Sequence, residues 1–218
     1  MYLNINSINL KRNNKILLVN FNLKIKEAQT VILSGDNGSG KTSLLEAICG
    51  IINISVGKIN LFHKNKLVKH HNNYIFYLGH HNALKSELSV YENLSLWSKL
   101  SSILASKNLI EEKLKYFEIE NIKNIEIKRL SLGQKRKVAL TKLLLTKCKI
   151  WLLDEPMNGL DPKSEEKLFE LINIHQKNKG ITLISSHKKI AFKNVKEINL
   201  NRYKDKKKLV NYDSWELL

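Results

Sequence analysis

Proline, cysteine and aromatic side chains are all scarce in this chain, and each scarcity removes a class of protein. Two prolines, Pro156 and Pro162, leave no proline-rich linker or recognition stretch. Two cysteines, Cys49 and Cys148, have neither C-x-x-C nor metal-ligand spacing. That excludes a disulfide scaffold and suits small buried hydrophobes in a reducing compartment. No stretch approaches the ~20 apolar residues of a membrane-spanning helix. The opening Met1-Tyr2-Leu3-Asn4-Ile5-Asn6 alternates like a strand and lacks the basic-then-apolar layout of a signal peptide. The expectation is a soluble chain whose membrane role, if it has one, comes through a partner. Aromatics make up 7% of residues and do not interleave with basic ones, so no base-stacking platform is expected.

What the chain has in excess is positive charge, formally +17 with a pI near 9.7. The basic residues are mostly Lys, spread throughout and accompanied by abundant Asn and Ile. That mixture fits an A/T-biased coding sequence, and no specific nucleic-acid partner is expected. The densest run, Lys204-Asp205-Lys206-Lys207-Lys208, reads as part of a solvated basic tail over 201–218. A chain of 218 residues is long enough to bury one sizeable core, or a core with a smaller satellite.

Strand-like stretches recur at residues 3–10, 21–25, 31–33, 58–62, 75–78, 150–153, 182–185 and 198–200. Between residues 82 and 147 the pattern turns helical. Ser89 and Glu92 have capping-box spacing there, and Leu94, Trp97 and residues 100–103 continue one apolar face. Strands at 1–81 and 148–200 therefore surround an inserted helical block. The expected fold is α/β, with an N-terminal antiparallel β element.

Gly35-Asp36-Asn37-Gly38-Ser39-Gly40-Lys41-Thr42 fits the phosphate-loop pattern G-x-x-x-x-G-K-[ST], followed by Ser43. A short buried strand precedes it and a helix over 41–49 follows. In such a loop backbone N–H groups surround the phosphates, Lys41 reaches the β- and γ-phosphates, and the Thr42 hydroxyl ligates Mg²⁺. The bland alternative, a Gly-rich turn before a helix, explains neither the strand nor the Lys-Thr pair. Ile150-Trp151-Leu152-Leu153-Asp154-Glu155 is an apolar run ending in two carboxylates. A parallel strand would deliver them to the sheet edge where the loop emerges. There Asp154 would hold Mg²⁺ and Glu155 would polarise the attacking water; alone, the pair equally suits a core strand leaving into solvent. Ser131 and Gln134, with Gly133 between them, form an S-x-x-Q capping box, and a capped helix start is also a site for a phosphate. Asp161 before Pro162 reads as a helix N-cap with Pro at N1.

The order Gly35 to Thr42, Ser131 to Gln134, Asp154-Glu155, Gly159-Leu160-Asp161 and His187 resembles a complete nucleotide-binding domain of the ATP-binding-cassette (ABC) family, over residues 3 to about 200. The resemblance implies a phosphate-loop NTPase fold with a RecA-like core and an inserted helical subdomain. It also implies ATP and Mg²⁺ as ligands, and a head-to-tail homodimer with two composite sites. Ser131, Gly133 and Gln134 would then face the nucleotide of the other copy. Asp161 would sit at the seam, and His187 would contact the γ-phosphate and position Glu155.

Tyr77-Leu78-Gly79-His80-His81, Lys85 to Leu88, Glu92-Asn93-Leu94 and Leu130 to Leu140 further resemble the ATP-binding subunits of cytochrome c maturation (haem exporter) complexes. That implies integral membrane subunits as partners and release of a haem-loaded chaperone as the work done. The location implied is the cytoplasmic face of a bacterial inner membrane or the matrix face of a mitochondrial one. Direct haem binding by His70, His71, His80 and His81 is not expected. Three positions depart from the family pattern. His81 stands where a Gln touches Mg²⁺, Leu132 replaces a small residue, and Lys11 or Arg12 occupies the place of the adenine-stacking aromatic. Rival readings keep the chemistry but change the cargo to a drug, lipid or lipoprotein, or make the chain a soluble iron–sulfur assembly ATPase. Another makes it a nucleotide-gated interaction protein with negligible hydrolysis.

Overall fold

The computed structural model describes residues 1–13, 15–101, 103–187 and 195–204. In chain order its strands are β1 (Tyr2–Arg12), β2 (Lys15–Lys26), β3 (Gln29–Ser34), β4 (Val56–His63), β5 (Lys66–Leu67), β6 (Ile75–Leu78), β7 (Ile150–Asp154), β8 (Ile181–Ser185) and β9 (Val195–Asn199). Its helices are α1 (Lys41–Ile48), α2 (Val90–Leu100), α3 (Lys107–Tyr116), α4 (Leu132–Leu145) and α5 (Pro162–Lys177). One sheet is antiparallel, in the order β2-β1-β4-β5. The other is parallel throughout, in the order β6-β7-β8-β3-β9.

Side-chain alternation on the parallel strands divides the interior in two. Ile150 and Leu152 of β7 pack with Val31, Leu33, Leu44, Leu45 and the inner face of the antiparallel sheet. Trp151 and Leu153 of the same strand point the other way, to Leu168 and Ile172 of α5, Val138 and Leu140 of α4, and the helical block. β7 and β8 are buried at every position, which is why they read as continuous apolar runs. The helices start where polar caps stand: Ser89 with Glu92 closes a capping box on α2, Ser106 caps α3, and Ser131 with Gln134 closes a second box on α4.

Three stretches differ from the sequence expectation. β2 starts at Lys15 rather than near residue 21, because bulges in its pairing with β1 let adjacent Leu17 and Leu18 both go inside, which strict alternation forbids. Leu100 does not continue the apolar face of α2 but is 78% exposed. Helical rotation carries it ~80° away from the face defined by Val90, Leu94 and Trp97. Leu200 is not a strand residue: β9 ends at Asn199, whose side chain accepts from Asn201 N at 2.9 Å and opens a 3-10 turn. Residues 201–203 of the tail expected over 201–218 belong to that 3-10 turn, and residues 205–218 lie outside the described residues.

Candidate active site

The phosphate loop spans the gap between β3 and α1, and Gly40 serves as N-cap with φ 98, a left-handed conformation that suits glycine. No side chain caps α1, so its first N–H groups have no side-chain partner. Lys41, 6% exposed, crosses the loop and donates from Nζ to Gly35 O at 2.7 Å and to Asp36 O at 3.1 Å. Burial lowers its pKa, while Glu155, Asp154 and Asp36 oppose that shift. Ser39 is 1% exposed, and its buried Oγ has no hydrogen-bond partner. The 3-10 turn behind the loop braces it. Asp36 N donates to Asn201 Oδ1 at 3.3 Å and Lys204 Nζ lies 3.1 Å from Asp36 Oδ2; the Asn201 side chain first, and then Lys204, hold that carboxylate below its usual range.

The parallel register sets the acid pair, because Asp154 ends β7 opposite Ser185 of β8. Thr42 Oγ1 donates to Asp154 Oδ2 at 2.9 Å and Ser185 Oγ donates to Asp154 Oδ1 at 2.5 Å. Glu155 has φ 46, which turns the chain sharply just past the strand, and its N–H donates to Ser185 Oγ at 2.9 Å. Burial raises the Glu155 pKa, against the pull of His187 and Lys41. His187 Nε2 lies 3.2 Å from Glu155 Oε1, at ion-pair distance but out of line for a hydrogen bond.

A cavity of about 490 Å³ joins the loop residues Asn37, Gly38, Gly40, Lys41, Thr42 and Ser43 to Glu155, Asn158 and His187. Arg12 and Leu17 also line it. Arg12 donates to Ser43 Oγ at 3.2 Å and Glu46 Oε2 at 2.9 Å, so its guanidinium is tied to α1 at the cavity wall. His80 lines this cavity. His81 lines a neighbouring one of about 380 Å³, which His80 and Thr42 share. The other histidine pair, His70 and His71, precedes β6, so that strand separates it from His80 and His81.

Ser131, Gly133 and Gln134 do not line the phosphate cavity. They form an exposed helix start in which Ser131 Oγ accepts from Gln134 N at 3.2 Å and Gln134 Oε1 accepts from Ser131 N at 2.9 Å. Leu132 beside them is 79% exposed. Gly133 approaches the turn after β7 so closely that a Cβ there would stand 2.6 Å from Gly159 O. Asp161 caps α5, accepting from Ser164 N at 2.9 Å, and pairs with Lys137 of α4 at 2.7 Å, which holds its carboxyl well below the usual range.

Sequence reasoning missed several residues at the site. Arg136 is 3% exposed and spends five N–H bonds on Pro156 O, Gly79 O, Asn82 Oδ1, Asp154 O and Glu155 O. It looked like one more basic residue among many. Ser185 and Asn158 were passed over too. The signal for Ser185 was available, since two parallel strands ending at one level set their last residues side by side.

An oxygen pair such as Thr42 and Asp154 is the donor set a small hard cation takes when substrate phosphates complete its shell. With a phosphate loop, an acid strand and a capped helix start on one α/β frame, the class is a phosphate-loop nucleoside triphosphatase of the ATP-binding-cassette type. The ABC transporter family matches residues 18–158, and the chain belongs to that family as an ATP-hydrolysing subunit. Within the family it lies close to one group of proteins. It is 32% identical over 205 residues to the cytochrome c biogenesis ATP-binding export protein CcmA of Histophilus somni, covering 93% of this chain and 94% of that one. The protein of the same name from Wolbachia pipientis wMel is 33% identical over 185 residues, covering 83% and 87%. Among solved structures, an ABC transporter ATP-binding protein from Pyrococcus furiosus superposes with TM-score 0.82 at 28% identity, covering 94% of this chain and 100% of that one. The ATP-binding cassette MJ0796, solved as a dimer bound to ADP and Pi, gives TM-score 0.73 at 25% identity, covering 85% and 88%.

Proposed function

We propose that two copies of this chain close on two ATP molecules and drive a membrane complex for cytochrome c biogenesis, in which hydrolysis releases a haem-loaded chaperone. For the chemistry, the carrying observation is the 2.9 Å contact between Thr42 and Asp154, residues 112 apart in sequence, beside Glu155 and His187. The cargo reading is supported by the relatives named for cytochrome c biogenesis.

In this reading the loop N–H groups and Lys41 bind the triphosphate, Lys41 leaving the two loop carbonyls it now holds for the β- and γ-phosphates. Thr42 and Asp154 hold Mg²⁺, which neutralises phosphate charge when bound. Glu155, ionised, orients the attacking water and accepts its proton, and a raised pKa makes it a better base than a surface carboxylate. His187 holds Glu155 in place and donates to the γ-phosphate. Ser131, Gly133 and Gln134 of a second copy complete the shell around that phosphate, with Asp161 at the seam. Arg12, already anchored to Glu46, offers a cationic face to the base in the aromatic's place. The complex would act on the cytoplasmic or matrix face of the membrane; among the described residues no helix is long and apolar enough to cross one.

Depleting the chain in its own cells should remove haem-stained c-type cytochromes while sparing b-type haem. A tagged chain should bring down integral membrane subunits. Unchanged c-type cytochromes after depletion would refute the cargo assignment and return the reading to another ABC exporter or an iron–sulfur assembly ATPase.

A further inference from the structure

β9 runs parallel to β3 with Asn199 opposite Ser34, so two segments leave the sheet side by side: the phosphate loop from Gly35, and the 3-10 turn Leu200–Tyr203. The turn is anchored without help from the loop. Leu200 is fully buried, and the Tyr203 ring meets Phe21 edge-on with centroids 4.8 Å apart. From this base Asn201 reaches the loop. Its Oδ1 accepts from Asp36 N at 3.3 Å and stands 3.3 Å from where a Cβ on Gly35 would lie. The buried Ser39 Oγ stands 2.8 Å from the same point. Any side chain at Gly35, whose φ is 138, would push against both oxygens. Only a bare Cα lets the turn approach this closely.

Asp36 is held at each of its polar groups. Its N–H donates to Asn201, its carbonyl accepts from Lys41 Nζ at 3.1 Å, and its carboxylate lies 3.1 Å from Lys204 Nζ. When Lys41 leaves for the phosphates, Asn201 and Lys204 still hold the residue in place. Charge adds a second reason for the contact. A carboxylate in a loop that takes up a triphosphate repels it, and an ammonium beside that carboxylate offsets the repulsion. We propose that Asn201 is a positioning residue for the phosphate loop and that Lys204 masks the charge of Asp36, so that the turn after β9 sets nucleotide affinity and leaves the chemical step alone. The inference rests on the reading above in which this loop holds the triphosphate. By linkage, bound nucleotide stabilises the docked turn in return.

Mg-ADP is titrated into the full chain, and turnover is read at limiting and saturating Mg-ATP. Asn201→Leu keeps the size of the side chain and removes its amide. The Kd for Mg-ADP and the KM for Mg-ATP should rise about fivefold to tenfold, the loss expected for hydrogen bonds to one loop residue, with kcat held within about twofold. The double substitution Asp36→Asn with Asn201→Asp exchanges amide and carboxylate and keeps an acceptor for the loop N–H. It should bring both constants back to within about twofold of native, which a merely structural asparagine would not allow. Lys204→Gln should weaken binding about twofold to threefold at low salt, and the difference should vanish at ~1 M salt. Mg-ADP should slow hydrogen exchange at residues 200–204 of the native chain. The inference is overturned if Asn201→Leu binds like the native chain, if kcat falls while affinity holds, or if the exchanged pair fails to recover affinity. Unchanged exchange at 200–204 overturns it too. Should Asn201→Leu not fold, Lys204→Gln alters only a partly exposed side chain and must by itself show the salt-dependent loss. Lys41→Gln separates this inference from the reading beneath it. If that variant binds Mg-ADP like the native chain, the phosphate-loop reading fails and this inference with it; if it loses binding while Asn201→Leu keeps it, only this inference fails.

Discussion

Glu155→Gln is the perturbation on which the catalytic assignment turns. The substitution is nearly isosteric, and the φ of 46 and the bond from Glu155 N to Ser185 Oγ belong to the backbone, so both survive it. What disappears is one ionisable carboxylate beside His187. A positioned general base contributes ~10²–10⁴ in rate, or ~3–5 kcal/mol of barrier, so turnover should fall by at least two orders of magnitude. ATP affinity should hold or tighten, because a negative charge leaves the neighbourhood of the triphosphate. The sign of the pKa shift adds two checks. Burial raises the Glu155 pKa in the free chain, so the acid limb of the native kcat/KM profile, which reports the unliganded enzyme, lies above the usual glutamate range. Turnover is lost as pH falls through that limb, and the limb is absent in the variant. A carboxylate whose pKa is raised on folding contributes stability below its unfolded pKa, and this is lost as pH rises through the folded value. At neutral pH the native chain is therefore destabilised by this group, and Glu155→Gln should melt at an equal or higher temperature. Phosphate release at limiting and saturating Mg-ATP across pH, a nucleotide titration and a melting curve suffice. A normal rate, or a melting temperature lower by several degrees, would refute the assignment.

Three further outcomes follow from particular contacts. In Gly180→Ala the new Cβ would stand 2.2 Å from His175 Nε2, and that ring cannot yield because it stacks on Trp151 with centroids 3.7 Å apart. Overpacking of this kind costs ~1–3 kcal/mol, read as a melting temperature lower by ~2–4 °C per kcal/mol in a chain of this size. His175 itself is buried neutral with its pKa pulled down to about 4. The unfolded chain therefore takes up the proton first, and stability falls by up to ~1.4 kcal/mol per pH unit between about 6.5 and 4. Urea midpoints at neutral and acid pH should show that slope in the native chain and a shallower one in His175→Leu. Gly133→Ala places a methyl 2.6 Å from Gly159 O, which forces the start of α4 off the turn after β7. Turnover should drop ~10-fold or more while nucleotide binding to the monomer stays intact, since this contact lies outside the phosphate cavity.

The sequence made some of this architecture readable because certain elements are specified locally. The phosphate loop is contiguous, the capping boxes at Ser89 and Ser131 are four-residue patterns, and β7 is a run of apolar residues that only a doubly covered strand tolerates. What could not be read is set by register and packing. Nothing in the neighbourhood of Leu17 and Leu18 announces that bulges in β2 turn both inward; that depends on the facing strand. His80 and His81 are adjacent identical side chains, and motif position alone favoured His81 as the group at the catalytic centre. His80 lines both cavities and His81 only the one it shares with His80 and Thr42, an arrangement set by the path of the loop, to which Arg136 and Lys142 donate from another element. Arg136 was hidden by composition, since a chain with 37 Lys and Arg gives no reason to single one out.

The way Arg136 is satisfied bears directly on how the acid pair stays available. A guanidinium buried next to two carboxylates would ordinarily form a bidentate salt bridge, and that would neutralise the charges the chemistry needs. Here its five donors go to four backbone carbonyls and one amide oxygen, including the carbonyls of Asp154 and Glu155 themselves. The cation therefore fixes where the strand ends without occupying either side chain. Desolvation lowers the Arg136 pKa to about 10, still far enough above neutrality to keep the charge permanent. Asp154 is left to two hydroxyls, Thr42 and Ser185, and Glu155 to an imidazole at ion-pair distance. These weaker partners are ones that a bound metal–nucleotide can displace or share. The backbone at the acid strand is thus held by a strong, permanent interaction while its carboxylates are held by exchangeable ones. That division keeps the site rigid and leaves its charge free to meet the substrate.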